Sequence, residues 1–168
     1  MRPTTERDRE FSEYVSGRRT GLVRVATLLL SGDESRAEDA VQVALTRLYL
    51  AWPRVRLGTR DAYVRRSVVN AAVDEHRSLF RRREQTHAEV PDTAVVEHAF
   101  TDNTDLVRLL ATLPTRMRAA VVLRYVEGLD VADTARALGC SQGTVRSQST
   151  RGLERLRAIF PQYEEAFI

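Results

Sequence analysis

Residues 130–157, DVADTARALGCSQGTVRSQSTRGLERLR, leave the chain few ways to fold. Two short helical patterns meet at Gly139-Cys140-Ser141. Asp130 stands where it can cap the first helix, and Asp133 favours the positive end of its dipole. Val131, Ala135 and Leu138 make an inward stripe. Gly139 supplies the left-handed residue that ends a helix, and Ser141 can accept from the first free N–H groups of the next. There, a step of ~100° per residue turns Val145, Ser149, Gly152, Leu156 and Ile159 to one side. The opposite face presents Gly143, Thr144, Ser147, Thr150 and Arg151, with Arg146 and Gln148 on its flanks. Gly143 costs the helix about 1 kcal/mol relative to Ala, yet leaves room for a phosphate. An ordinary helical hairpin accounts for the corner but not for this outward polarity. The pattern predicts a helix-turn-helix that enters a major groove of DNA.

A chain of 168 residues suits one compact domain or two small ones. Its 43% apolar content supports helical cores, while only 8 Gly and 5 Pro argue against a strand-and-turn architecture. All 26 basic residues are Arg, which a GC-rich genome explains, and each still carries a planar fork suited to phosphate and guanine. The net charge of +3 is too small for binding by bulk charge, so the arginines must be arranged locally. One cysteine excludes an internal disulfide framework and fits a reducing compartment. Cys140, in the corner between the two helices, reads as a small buried hydrophobe. No apolar run reaches membrane-spanning length and the N-terminus lacks a signal-peptide core, so a soluble, cytoplasmic protein without membrane contact is expected.

Catalytic signatures are missing. Glu38 and Asp39 are adjacent and diverge on a helix, His76, His87 and His98 have no zinc-binding spacing with Cys140, and no glycine-rich phosphate loop occurs. The expectation is no enzyme, no catalytic residue, no metal and no cofactor.

Along the chain, an all-α organisation is predicted: two small helical domains, 6–83 and 104–160, each with its own core, joined by a flexible linker at 84–103. In the first, a helix over 11–30 carries Val15, Leu22, Val25, Ala26 and Leu29 on its apolar side, and Ser31-Gly32-Asp33 breaks it. A second helix over 36–51 aligns Ala37, Val41, Ala44, Leu48 and Ala51 along one seam, leaving Asp39, Gln42, Thr46 and Tyr49 outward. Trp52-Pro53 ends it, and an arginine-bearing loop leads to a third helix over 61–82. Here Arg66, Asn70, Asp74, Arg77 and Arg81 recur at helical steps on one face, opposite Val64, Val68, Ala71 and Ala72. Such a row suits either a solvated surface or nucleic-acid contact, and its phase alone does not decide between them. The second domain begins with a short helix over 105–111. Pro114 then opens another, with Met117, Val121, Val122 and Tyr125 turned inward until Gly128 stops it.

These segments resemble a known family. AEDAVQVALTRLY at 37–49, RRSVVNAAVDEHR at 65–77 and LPTRMRAAVVLRYVEGLD at 113–130, followed by GCSQGTVRSQSTRGLERLR at 139–157, are similar to extracytoplasmic-function sigma factors. These are small alternative initiation subunits of bacterial RNA polymerase that keep regions two and four of larger sigma subunits, and the flavour here is the SigE-like actinobacterial subgroup. The resemblance implies that 6–83 is a region two bundle and 104–160 a region four helix-turn-helix. It implies that Asp39 and Gln42 face the β′ clamp helices of core polymerase, and that the hairpin at 113–128 helps bind the β flap. Arg66, Asn70, Asp74 and Arg77, with the loop at 52–60, would engage and open the −10 element of promoter DNA. Thr144, Arg146, Ser147, Gln148 and Arg151 would read or grip the −35 element. Many family members carry Arg where this chain has Gln148, and Gln can read adenine instead. An anti-sigma protein is a common partner in that family, although nothing in this chain specifies one. The rival reading from another class is a free-standing helix-turn-helix regulator with a sensor or dimerisation domain. It has little use for both an outward Asp39/Gln42/Thr46 face and a basic helix beside it.

Overall fold

Helix α1 (Glu6–Leu29) starts at Thr5, whose hydroxyl accepts from the Asp8 N–H at 3.2 Å while the Thr5 N–H donates to the Asp8 carboxylate at 2.9 Å. This reciprocal cap starts the helix earlier than the apolar pattern predicts. In the computed structural model the described backbone covers residues 4–86 and 102–162, and the described side chains cover 4–75 and 105–162. Ser31 and Gly32 take positive φ to turn the chain, and Asp33 caps α2 (Glu34–Ala51) by accepting from the Arg36 N–H at 3.1 Å. After Trp52 a 3₁₀ turn (Leu57–Thr59) leads into α3 (Arg60–Thr86). Of the predicted linker, 87–101 lies outside the described residues.

The first three helices close around Ala26, Leu28, Val41, Leu48, Val64, Val68 and Val69, all essentially inaccessible. Ala37 and Ala44, both at 0% exposure, let the α2 backbone approach its neighbours closely, which is how a stripe of small residues binds a three-helix bundle. Trp52 closes one end, with Phe11 and Tyr14 edge-on to its indole and the Arg60 guanidinium 3.6 Å from its ring centroid. Tyr49, predicted outward, is instead half-buried. Phe11 packs edge-on against it, its hydroxyl donates to Asp8, and Arg7 donates to its carbonyl. The first turns of α1 cover it.

The second block runs α4 (Asp102–Ala111), α5 (Thr115–Val121), α6 (Val131–Leu138) and α7 (Gln142–Ile159). Between α5 and α6 the helix widens into a π turn (Val122–Val126). Glu127 N–H bonds the Val122 carbonyl and Leu129 N–H the Leu123 carbonyl, each at 2.9 Å. The extra residue in that turn rotates the helical phase. Tyr125, predicted inward, is therefore 51% exposed, while Val121, Val122 and Leu123 stay buried. Ile159 also departs from its predicted inward position, at 45% exposure. At 1.5 Å per residue α7 is roughly 27 Å long and α5 roughly 10 Å, so α7 outruns its partner after Leu156.

The two blocks pack on one another. Their apolar residues form one contiguous core, from Leu28 and Leu29 in α1 to Leu110, Leu113 and Leu123 in the second block. Arg118, on α5, crosses the boundary at only 5% exposure. Its guanidinium donates to the carbonyls of Leu110, Leu113 and Ala111 in its own block and to that of Leu29 in the other, at 2.9, 2.9, 3.4 and 2.9 Å.

Candidate nucleic-acid interface

The corner of the helix-turn-helix is built as its residues dictate. Asp130 accepts from the Asp133 N–H at 2.7 Å, and Gly139 ends α6 at φ 64°, ψ 38°. A Cβ pointing from Gly139 would meet nothing within 4 Å, so the backbone angle alone demands glycine. Ser141 then accepts from the Thr144 N–H at 3.1 Å to start α7. Cys140, predicted buried, is half-buried. Val145, Ser149, Gly152 and Leu156 face inward, and the buried Ser149 hydroxyl is satisfied by the Val145 carbonyl at 2.7 Å. Gly152 sits where α5 and α7 cross: a Cβ there would lie 2.5 Å from Val121 Cγ2. This close crossing fixes which face of α7 turns outward.

That outward face carries Gln142, Gly143, Arg146, Thr150 and Arg151 in the open, with Thr144, Ser147 and Gln148 half-exposed beside them. Arg146 reaches Gln142 Oε1 at 3.4 Å, and neither Arg146 nor Arg151 has an acidic partner among the described residues. Two unneutralised guanidinium groups flank a helix start of small residues. This set suits entry into a groove lined by phosphates.

On α3, Arg66, Asn70 and Asp74 are all exposed on one face, opposite the buried Val64, Val68, Val69, Ala71 and Ala72. The side chains of Arg77 and Arg81, and those of His76, His87 and His98, lie outside the described residues. Asp61 anchors the start of α3. It accepts from Tyr14 Oη at 2.7 Å and from Arg18 Nε at 2.6 Å. These bonds, the tyrosine's foremost, hold the Asp61 carboxyl below the usual carboxylate range, and burial pushes the Tyr14 hydroxyl up. Before α3 the 3₁₀ turn carries Leu57 at 76% exposure, between exposed Arg54, Arg56 and Gly58. An apolar side chain at an arginine-lined loop tip is poised to meet something other than water.

The outer face of α2 holds the expected Asp39, Gln42 and Thr46, all exposed. It also holds Val43 at 44% and Leu50 at 66%, which the sequence reading passed over. Steps of three and four from Asp39 through Gln42, Val43, Thr46 and Leu50 would have found them, since all five fall on one stripe outside the alanine seam. A mixed apolar and polar helical stripe of this kind suits contact with protein better than contact with nucleic acid. Among the described residues no cluster of His, Cys, Asp and Glu could hold a metal ion, and no helix is long and apolar enough to cross a membrane.

Known proteins share this arrangement. Residues 17–83 match Sigma-70 region 2 and residues 104–156 match Sigma-70, region 4. The RNA polymerase sigma-E factor of Streptomyces avermitilis is 39% identical over 156 residues, covering 88% of this chain and 83% of that one. The ECF RNA polymerase sigma factor SigE of Mycolicibacterium smegmatis is 33% identical, covering 76% of this chain and 53% of that one. Among solved structures, the sigma factor RpoE of Bartonella quintana, in complex with the anti-sigma factor NepR, superposes with a TM-score of 0.76 at 22% identity. The match covers 90% of this chain and 97% of that one. CnrH, in complex with the cytosolic domain of CnrY, gives a TM-score of 0.64 at 21% identity, over 92% and 89% of the two chains. Both sigma regions occur in their expected order, and a sigma-E relative matches along most of its length. The chain therefore belongs to the extracytoplasmic-function sigma factors, which direct RNA polymerase to promoters and begin transcription there.

Proposed function

We propose that the chain divides this work among three surfaces. The α2 stripe docks on the β′ clamp helices of core polymerase, with Asp39 and Gln42 as its polar contacts and Val43 and Leu50 as apolar ones. The α3 row of Arg66, Asn70, Asp74 and Arg77, with the loop at 53–60, engages the −10 element and holds it open. Thr144, Arg146, Ser147, Gln148 and Arg151 on α7 grip the −35 element, and the hairpin at 113–128 leans on the β flap. Block 6–83 acts as the polymerase and −10 unit, 104–160 as the −35 unit, and 84–103 as the connection. The chain contributes no catalytic group, the polymerase performs the chemistry, and both work in the cytoplasm. An anti-sigma protein of the kind seen with the solved relatives would act by covering these same surfaces.

The observation that carries this reading is the pairing of an exposed mixed apolar and polar stripe on α2 with the exposed polar row of Arg66, Asn70 and Asp74 on α3 in one block. Each DNA surface is small, and a net charge of +3 gives weak free-standing affinity. Tethering to polymerase raises the effective concentration of each site, so modest contacts suffice. Opening DNA needs compensation of a few kcal/mol per unstacked base, which a pocket at the exposed loop would provide. Asn70→Ala and a replacement of loop 53–60 should lower initiation on duplex promoters at least tenfold and spare templates opened in advance. An equal response on both templates defeats the melting role. Tight operator binding by a dimer without polymerase would favour a free-standing regulator.

A further inference from the structure

We propose that Trp52 and Arg60 clasp the two feet of the loop at 53–59, that Tyr14 and Asp61 anchor this clasp to α1, and that all four are positioning residues for opening the −10 element. The proposal rests on the role given to that loop above. Trp52 is the last residue before the loop and Arg60 opens α3 directly after it. The Arg60 guanidinium lies over the indole, 3.6 Å from its centroid. Its Nε is buried without a hydrogen-bond partner, so the face of the ring holds it in place. Trp52 is fixed in turn from α1. It is 4% exposed, with Phe11 and Tyr14 edge-on at 5.2 and 5.4 Å, and its Nε1 donates to Glu10 at 3.4 Å.

Tyr14 touches both feet at once. Its ring packs on Trp52, while its hydroxyl donates to the Asp61 carboxylate at 2.7 Å. Arg18 completes the anchor, with Nε donating to the same carboxylate at 2.6 Å and its guanidinium 4.2 Å from the Tyr14 centroid. Between the feet the loop backbone closes on itself. The Ala51 carbonyl accepts from the N–H groups of Arg54 and Val55 at 2.8 and 3.1 Å. The Arg56 carbonyl accepts from the N–H and the hydroxyl of Thr59, each at 2.9 Å. Val55 packs against the core, while Arg54, Arg56, Leu57 and Gly58 stay exposed. The backbone is set, and the groups able to meet DNA are left free.

This arrangement matters because melting leaves little binding energy to spare. Extruding a base loses its stacking, which the protein must offset. A loop that ordered itself at the same moment would add a conformational entropy cost for every residue. A loop already fixed avoids that cost. Tyr14 and Trp52 are buried, so their influence on DNA passes through the loop.

Initiation by the full chain with core polymerase, on duplex promoters and on templates opened in advance, tests the clasp. Tyr14→Phe keeps the ring and removes only the bond to Asp61. It should lower the duplex-to-opened ratio about threefold, and Arg60→Ala at least tenfold, as misplacement of a working group does. Arg60→Lys, which keeps a cation over the indole, should recover at least half of the loss. The loss should fall on the rate of opening, with promoter affinity within about twofold of the parent and the salt slope unchanged. A slope lower by about one in Arg60→Ala would make Arg60 a phosphate contact and overturn its place in the clasp. In a chain whose residues 53–59 are replaced, Tyr14→Phe should have no further effect, and an undiminished effect overturns the proposal. Trp52 is the only tryptophan, so its fluorescence reports the stack directly. Acrylamide should quench it more strongly in Arg60→Ala, and equal quenching shows that no stack exists in solution. If replacing the loop lowers the duplex-to-opened ratio but Tyr14→Phe and Arg60→Ala do not, the clasp alone falls. If replacing the loop changes nothing, the loop's melting role falls and the clasp's purpose falls with it.

Discussion

At the scale of single residues, the side chains that position the interface do so through local chemistry with measurable costs. Gly152 lets α5 and α7 cross, and Gly152→Ala forces a methyl to within 2.5 Å of Val121. Such overpacking costs about 1–3 kcal/mol, read as a lower urea midpoint with unchanged slope. Gly139→Ala meets open space and loses only its backbone ease, about 1–2 kcal/mol, so the two glycines should separate by cause in a series with larger side chains. Gly152→Leu should worsen sharply over Ala, and Gly139→Leu, unbranched at Cβ and facing open space, little. Acid behaviour gives another test. The Tyr49 hydroxyl, the Thr5 backbone and hydroxyl, and nearby Arg7 hold the Asp8 carboxyl at about 2, below its ordinary 3.8. A carboxylate lowered in the folded state adds stability that is complete above its unfolded value and fades as pH falls toward the folded one. Tyr49→Phe should therefore remove part of the stability lost between pH 4 and pH 2 and leave the pH 7 packing against Phe11 in place. A variant whose acid limb matches the parent's would show that the bond adds nothing.

Elements were legible wherever one helical phase ran unbroken. The inward stripe of α7, the buried and exposed sides of α3, and the Gly139 corner follow from spacing and capping chemistry alone, because each lies within a regular helix or at its cap. Phase failed where regularity did. The π turn at Val122–Val126 brought Tyr125 outward, and Arg124 braces that turn by donating to the Leu129 carbonyl. Nothing in the pattern marks such an insertion. The first turns of α1 were missed although Thr5 and Asp8 stand at capping-box spacing, and with them went the partners of Tyr49. Arg118 could not be read at all, since a buried arginine satisfied by backbone carbonyls looks in sequence like any surface arginine. The α2 stripe yields the prediction of this scale. Leu50→Glu, at a site 66% exposed, should weaken association with core polymerase at least tenfold while leaving thermal stability within about 0.5 kcal/mol of the parent. Unchanged affinity in a binding titration would remove Leu50 from the docking face.

For the whole molecule, modest surfaces gain their strength from being joined. Arg151→Ala should weaken promoter capture across sequences and lower the salt slope by about one, as expected for one phosphate contact. Gln148→Ala should instead cost about 1–3 kcal/mol at one base pair and relax choice there. Neither change should matter much to free DNA at physiological salt, where a chain of net charge +3 binds weakly by itself. The central claim is that both blocks act on one promoter while anchored to core polymerase. Mapping transcript starts on bacterial genomic DNA, with core polymerase alone and with this chain added, tests it most directly. Starts that depend on the chain and share two upstream boxes, the nearer one shifting with changes in the α3 row and the farther one with changes in α7, are the predicted result. Chain-dependent starts with no shared boxes, or no new starts at all, would contradict it.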